Sequence, residues 1–428
     1  MNVLKRYFQL ILVVLAAGSI YPLVYLKQNY QETILQVFNM DLTQLNTIFS
    51  ILGIVFVVGY FPSGLISDKF SSKKLLTISL LGTAAGGFWF AQVPNFTGVA
   101  LIYCIWGVFS VFTFWSAHMK LVKLLSTPED EGRFFGILDG GRGVVEALLA
   151  TISIAIFAHV LGGSDAIADK KDALVTIIYM YSFVLVAVAI LIFIFVKEDQ
   201  KTPANDADDA PAKEKFHIKD VGLIFKNKYV FLLGGIIFMS YAVTWTIYYF
   251  GGFMETNVGV NAVKVGTVMV IVQWMRPVGG IVGGFLGDKI GKRKILSIAL
   301  IGSAAALLIM AILPVGLGAT PFYILVVGAA IFIYAIRGTY WSLLGDAKVD
   351  DKLIGVTIGF ASVIGYLPDI ILPLYNSALF KAFGDNGGYN AYWISNTVFG
   401  LIGVALIVLF GVQLKKDNAK EAALKKAN

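Results

Sequence analysis

Six ionisable side chains interrupt segments of the chain that are otherwise apolar: Asp139, Arg142, Glu146, Arg276, Arg337 and Asp369. An uncompensated charge at the centre of a lipid bilayer costs at least about 2.5–3.5 kcal/mol, so such side chains should face the protein interior and find partners there. Asp139, Arg142 and Glu146 follow the spacing i, i+3, i+7, which places them on one face of a helix. The spacing predicts either a self-neutralising structural ion pair or a binding site at Arg142.

The three arginines carry a permanent charge and a planar fork of donors that matches a carboxylate, sulfonate or phosphate. They favour an anionic ligand, and the alternative is that the three acids neutralise them in structural ion pairs. Arg337 lies near the end of its apolar segment, where its side chain could also reach the membrane surface. Aromatic side chains near mid-segment are predicted to contact the carbon skeleton of the ligand: Trp245, Trp274 and Tyr366.

Twelve apolar segments of about 20 residues must position these side chains, a length that crosses roughly 30 Å of hydrocarbon. Hydrophobic residues make up 57% of the 428 residues and charged residues 14%, with a mean hydropathy of +0.78. Because lipid offers the backbone no hydrogen bonds, the segments must be helices. The predicted fold class is an all-α integral membrane protein. Its predicted parts are a first bundle at 1–196, a polar linker at 197–228, a second bundle at 229–414 and a tail at 415–428.

The chain contains an internal duplication. Gly64–Lys74 and Gly284–Lys294 carry the same glycine, acid and base pattern 220 residues apart, and Pro94 matches Pro314 at the same offset. A repeat of this length predicts two six-helix bundles related by a pseudo-two-fold axis.

The repeat also pairs two of the acids within the apolar segments. Aligning Gly132 and Gly136 with Gly355 and Gly359 places Glu146 on Asp369. Both carboxyl groups then lie at one matched depth near the middle of the membrane, where desolvation favours proton binding. We therefore predict proton coupling at Glu146, Asp369 or both.

Two hydrophobic units that each carry this glycine–acid–base loop resemble the major facilitator superfamily of secondary transporters. The resemblance implies twelve helices, alternating access between the two bundles, and a gating role for the charged loops. The gating residues it implies are Asp68, Lys69, Lys73, Asp288, Lys289 and Arg293, with Arg133 as the companion cation of Asp68. The first loop departs from the pattern at Ser71, where the second has Gly291. The glycine-rich segment around Arg142 resembles the organic-anion and organophosphate branches.

Lysine and arginine are distributed unequally between the two sides of the membrane. The side of the termini collects 26 of them and the opposite side 5, namely Lys27, Lys170, Lys171, Lys264 and Lys381. This asymmetry predicts cytoplasmic termini and insertion in the inner (plasma) membrane. It also explains the net charge of +7 without a nucleic-acid partner.

The sequence contains no motif for metal binding or catalysis. Three scattered histidines and one cysteine, Cys104, predict neither a metal site nor a disulfide, and we expect no cofactor. Since no nucleophile–base set is present, an enzyme is not expected.

The predicted function is secondary active transport of a small organic anion by a monomer, through alternating access, with proton or counter-substrate coupling. Two alternatives remain open at this stage. One is a proton-driven exporter of hydrophobic or cationic compounds, in which Glu146 and Asp369 would contact the substrate. The other is a transporter-like membrane sensor without flux.

Overall fold

The structure is a computed structural model that describes residues 3–127, 131–197, 227–349 and 354–427. Within these ranges the side chains of residues 61, 65, 68, 131, 132, 281, 288, 354–356, 359 and 425–427 are not described. Most of the predicted linker at 197–228 lies outside the described residues. The described backbone is helical, with short turns and no strand.

Helices of the first half lie on both sides of the gap at 128–130. They are α1 (Val3–Val24), α2 (Lys27–Val37), α3 (Leu42–Lys69), α4 (Ser72–Phe90), α5 (Phe96–Gly107), α6 (Trp115–Leu125), α7 (Glu131–Leu161) and α8 (Ile167–Phe195). The second half contains α9 (Lys228–Trp245), α10 (Phe250–Thr256), α11 (Ala262–Ile290), α12 (Lys292–Ile312), α13 (Thr320–Thr339), α14 (Ile354–Gly365) and α15 (Pro368–Ala427).

The internal duplication is visible in the helix boundaries. Asp41 caps the N-terminus of α3 by accepting a hydrogen bond from the backbone of Gln44, and Asn261 caps α11 by accepting one from the backbone of Lys264. The two caps are 220 residues apart, the offset found in the sequence. A cap satisfies backbone N–H groups that the first helical turn leaves free. The same local signal therefore begins the equivalent helix in both halves.

Ten described segments are long and apolar enough to cross a membrane. The last of them, Phe360–Leu424, has 65 residues, about three times the length that one crossing needs. Its backbone leaves the helical conformation at Gly384 (φ 71°, ψ 177°), so it contains two crossings joined at this glycine. The helix α4, with 19 residues, is an additional apolar helix packed against α8.

Several crossing helices are interrupted near the middle of the molecule. The backbone turns between α1 and α2 at Tyr25 and Leu26, three residues after Pro22. Residues Thr246–Tyr249 form a 3₁₀ turn between α9 and α10. Pro368 separates α14 from α15, because proline lacks an N–H and disfavours a helical residue before it. Irregular backbone at membrane depth is tolerated where it lines a cavity, so these breaks indicate where to look for a site.

The two halves meet through α3 against α15 and α7 against α11. Small residues allow the closest approach. A Cβ atom on Gly53 of α3 would lie 2.5 Å from the carbonyl oxygen of Asp369 in α15. Close contact between helices in lipid depends on such small residues. We call the side that holds the chain termini the near side and the opposite side the far side.

Candidate functional site: a charged cavity between the halves

A cavity lies between the two halves. Its walls come from the interrupted helices and from α3, α6, α7, α8, α11 and α13. Its charged and polar lining includes Tyr21, Tyr25, Asn29, Tyr60, Arg142, Glu146, Tyr241, Tyr248, Gln273, Arg276, Arg337, Tyr366 and Asp369. The cavity therefore brings together five of the six ionisable residues that the sequence singled out.

Glu146 joins two arginines from different halves. Its Oε1 accepts a hydrogen bond from Arg142 Nε at 2.9 Å within α7. Its Oε2 is paired with Arg276 Nη1 of α11 across the interface. The three side chains are only 15–16% exposed, so little water screens the pairs. The guanidinium of Arg142 also lies 4.5 Å from the ring centre of Tyr21.

Arg337 has a different environment from the other two arginines. It is half-buried in the cavity wall on the last turn of α13. No carboxylate of the described residues lies within 4.0 Å of its guanidinium. The possibility that this side chain reaches the membrane surface is not realised here, and its donors face the cavity region without a fixed anion.

Asp139 does not take part in the cluster, although its spacing places it one turn from Arg142. Its side chain is exposed, outside the cavity lining. The alternative in which three acids neutralise the three arginines therefore does not hold for the cavity lining. Three arginines and two carboxylates line it, a formal charge of +1.

Asp369 is held by neutral donors. Its Oδ1 accepts hydrogen bonds from Tyr241 Oη at 2.8 Å and from Trp245 Nε1 at 2.9 Å. The residue is 3% exposed, and no basic side chain of the described residues lies within 4.0 Å of its carboxylate. It occupies the first turn of α15, where the helix dipole favours a negative charge. The proline break thus places an acid at a helix N-terminus on the cavity wall.

Of the three aromatic residues predicted to contact the ligand, one lines the cavity and two do not. Tyr366 lines the cavity, accepts a hydrogen bond from Trp341 Nε1 at 3.0 Å, and stacks on Tyr60 with ring centres 6.1 Å apart. Trp245 lies behind Asp369 and is outside this lining. Trp274 donates to Thr151 Oγ1 at 3.2 Å and is also outside the lining. The ligand contact predicted for these two tryptophans has no support in their placement.

Sequence reasoning missed two polar wall residues, Asn29 and Gln273. Gln273 lies one turn before Arg276 and donates a hydrogen bond to Asn29 Oδ1 at 2.7 Å. A glutamine at the spacing i, i+3 from a membrane arginine is the signal that could have found this pair.

The loops on the near side show partial pairing. Arg293 Nε lies 3.9 Å from Asp346 Oδ2, and Arg133 Nη1 lies 3.5 Å from Tyr7 Oη. The ammonium groups of Lys73 and Lys289 lie 5.3 Å and 4.6 Å from the ring centres of Phe193 and Phe285. Lys69 is exposed. The side chains of Asp68 and Asp288 lie outside the described residues, and the gating role stays a prediction.

Hydrogen bonds between the halves close the far side of the cavity. Asn46 Nδ2 of α3 donates to Asn376 Oδ1 of α15 at 2.9 Å, and Tyr249 Oη donates to Asn46 Oδ1 at 3.0 Å. Gln31 Nε2 donates to Tyr389 Oη at 2.9 Å. We call this group of side chains the far-side seal. It separates the cavity from the surface opposite the termini.

Among the described residues, no group of three His, Cys, Asp or Glu side chains is arranged to hold a metal ion. The site thus offers cations, hydrogen-bond donors, aromatic faces and two carboxylates. These groups can bind a small polar molecule and exchange a proton with it.

This arrangement, two helical halves around a charged central cavity, defines a membrane transporter. The family model of the Major Facilitator Superfamily matches residues 7–373, and the chain belongs to this superfamily. The prediction of the family and of its all-α fold is thereby confirmed. Membership also identifies the chain as a transporter and not an enzyme.

Curated relatives align over most of the chain. The inner membrane protein YihN of Escherichia coli (strain K12) is 27% identical over 376 residues, which cover 85% of each chain. The hexuronate transporter of Bacillus subtilis (strain 168) is 23% identical over 365 residues, which cover 82% of each chain.

Among solved structures, a bacterial homologue of the human lysosomal transporter Spinster, inward-facing and unoccupied, superimposes with a TM-score of 0.79. It covers 97% of this chain and 99% of its own at 14% sequence identity. At this identity the likeness concerns the fold alone.

Proposed function

We propose that this protein is a secondary active transporter of a small organic anion. The observation that carries the proposal is the charge of the cavity: Arg142 and Arg276 share one carboxylate, and Arg337 faces the same space without an acid within 4.0 Å among the described residues. A guanidinium in a poorly hydrated wall requires an anion, and a fork of donors fits a carboxylate or phosphate.

The Glu146 bridge suggests how binding is linked to movement. Arg142 and Glu146 belong to α7, whereas Arg276 belongs to α11 of the other half. A substrate carboxylate that bridges Arg276 and Arg337 would replace Glu146 as the partner of Arg276. The contact that holds the halves together would then pass to the substrate, so the occupied cavity rearranges more readily than the empty one. Alternating access follows from this exchange of partners.

A sugar acid fits the remaining walls. Hexuronates, which name the Bacillus subtilis relative, carry one carboxylate and several hydroxyl groups. Tyr21, Tyr25 and Tyr248 offer aromatic faces and hydroxyl groups, and Gln273 offers an amide. Glucuronate and galacturonate are therefore the first compounds to test.

Proton coupling is assigned to Asp369 in this proposal. Protonating Glu146 would break two ion pairs, whereas Asp369 is held by the neutral donors Tyr241 and Trp245. Asp369 can therefore accept a proton without the loss of an ion pair, and Glu146 serves as the competitor of the substrate. Exchange with a counter-substrate is the alternative form of coupling.

The remaining assignments follow the charge distribution and the relatives. YihN is named as an inner membrane protein, and an inner-membrane location with both termini in the cytoplasm is proposed here as well. The far-side seal then faces outward. The cavity lies within one chain, so a monomer suffices.

The test is uptake of radiolabelled glucuronate and galacturonate into proteoliposomes, with and without an inward proton gradient. Arg337→Gln should abolish most uptake, and Lys264→Gln, a change at an exposed far-side lysine, should leave it unchanged. Thermal-shift screening of neutral sugars and hydrophobic cations runs in parallel, because any ligand of the folded state raises Tm. Stabilisation by cations alone would reject the anion proposal in favour of a cation exporter.

A further inference from the structure

Lys27 is the first residue of α2, immediately after the break that follows α1. The sequence assigned it to a loop on the far side. The structure instead buries its side chain completely, at 0% exposure. No carboxylate of the described residues lies within 4.0 Å of its Nζ. An ammonium group without a counter-ion costs several kcal/mol to bury, so this position requires an explanation.

Aromatic rings surround the ammonium of Lys27. Its Nζ lies 4.2 Å from the ring centre of Tyr249, 4.3 Å from that of Phe49 and 5.8 Å from that of Trp245. Cation–π contacts contribute about 2 kcal/mol when desolvated, which offsets only part of the burial cost. Phe49 belongs to the same half as Lys27, whereas Tyr249 and Trp245 belong to the other. Separation of the halves on the far side would remove two of the three rings.

Around Lys27 and Asn46, the far-side seal offers more hydrogen-bond donors than acceptors. Asn46 Oδ1 accepts from Tyr249 Oη and, at 3.5 Å, from Lys27 Nζ. Asn46 Nδ2 donates to Asn376 Oδ1 and to Ser377 Oγ. The Nδ2 of Asn376, a residue with 0% exposure, has no partner in the described part of the chain. An ammonium carries three N–H donors, so Lys27 also keeps unused donors. The groups missing around Lys27 and Asn376 are therefore acceptor oxygens.

We propose that Lys27 and Asn376 form a second anion-binding site, which a small molecule bearing a carboxylate or phosphate occupies when the halves separate on the far side. The ligand class, a small organic anion, rests on the proposed function. The surplus of positive charge and hydrogen-bond donors is observed in the geometry of the seal and does not depend on that function. A substrate anion would meet this site on the far side of the arginines of the central cavity, and its oxygens would replace the ring faces that Lys27 loses.

The experiment uses a thiol reporter beside Lys27 in the full-length protein. Cys104→Ser removes the native thiol, and Ser377→Cys introduces one whose position is 8% exposed in the closed seal. Membrane vesicles of both orientations are treated separately with an anionic sulfonatoethyl and a cationic trimethylammonioethyl methanethiosulfonate. The ratio of the two labelling rates is measured. Both reagents need the same opening, so the ratio reports the local charge and not the open fraction.

Lys27→Gln in this background should lower the anionic-to-cationic ratio by about 7-fold. This is the change that one unit charge about 7 Å away produces in water when it attracts one reagent and repels the other. Lys27→Arg should keep the ratio high, which separates loss of charge from loss of folding. Lys264→Gln is the matched control, since Lys264 is exposed on the far side.

Competing anions identify the ligand. Inorganic phosphate and glucuronate should each lower the ratio toward the Lys27→Gln value. If glucuronate lowers the ratio at a lower concentration than phosphate does, the site binds the substrate. If both act at the same concentration, it is a general anion site. An unchanged ratio in Lys27→Gln would overturn the proposal, as would a thiol that never reacts from either side. The ratio requires no transport, so a Lys27-dependent ratio without glucuronate uptake would reject the proposed function alone.

Discussion

Arg276 and Glu146 form an ion pair that joins the two halves of the transporter across its central cavity. The pair belongs to helices α11 and α7, and the second carboxylate oxygen of Glu146 is held by Arg142 on its own helix. Glu146 has two arginine partners, and a third arginine, Arg337, lines the same cavity. An incoming anion can therefore replace Glu146 as the partner of one arginine.

Glu146→Gln should destabilise the protein when no anion is present, because Arg142 and Arg276 would face each other without the carboxylate. Removing one member of a buried ion-pair network typically costs about 3–5 kcal/mol. Glucuronate should restore the stability, so its addition should raise Tm more in the variant than in the wild type. The measurement is thermal unfolding in detergent with a glucuronate titration. Equal stabilisation of both proteins would show that the substrate does not compete with Glu146.

Arg337→Gln should weaken anion binding with little effect on stability in the absence of ligand. The guanidinium has no acid partner within 4.0 Å among the described residues, so its loss leaves no buried carboxylate unpaired. A charged hydrogen bond is worth about 1.5–3 kcal/mol, so Kd should rise about 10- to 150-fold. Binding of glucuronate to the purified variant, by calorimetry, gives the value. Lys264→Gln is the control, and an unchanged Kd would remove Arg337 from the site.

Asp369→Asn should abolish glucuronate accumulation driven by a pH gradient and spare glucuronate exchange at equal pH. The amide cannot carry a proton, yet it can still accept hydrogen bonds from Tyr241 and Trp245 at the positions of the carboxylate oxygen. Accumulation and exchange are measured in the same proteoliposomes. Asp139→Asn is the matched control, since Asp139 is an exposed acid outside the cavity. Accumulation that persists in Asp369→Asn would reassign the proton to Glu146.

The sequence predicted the family, the all-helical class and the duplication because each depends on a local or periodic signal. Apolar length specifies a helix in lipid, and the repeated loop specifies the fold. It also selected five of the ionisable residues that line the cavity, since the penalty for a charge in lipid drives such side chains inward.

The direction in which a side chain points, and the partner that it contacts, could not be derived from the spacing of residues along the sequence. Asp139 and Arg142 are three residues apart on one helix, yet only Arg142 lines the cavity, because the rotation of α7 is set by its packing against α1 and α11. Lys27 was counted as a loop residue because nothing in the sequence shows that the first crossing continues through α2 to Val37, with Lys27 beside Tyr249. Both depend on contacts between distant parts of the chain.

Gly53→Ala should impair closure of the far side, because a Cβ atom there would lie 2.5 Å from the carbonyl oxygen of Asp369 and backbone cannot move aside as a flexible side chain can. The wedge separates α3 from α15 about two turns from the seal contact between Asn46 and Asn376, so we expect faster labelling of the Ser377→Cys thiol from the far side and slower glucuronate exchange. The matched control is Gly140→Ala in α7, where an added Cβ would meet nothing within 4 Å. That change should leave both rates unaltered and, as a helix-interior Gly→Ala, could stabilise the protein by about 0.5–1 kcal/mol. Equal labelling rates in the two variants would show that the contact between Gly53 and Asp369 does not control the seal.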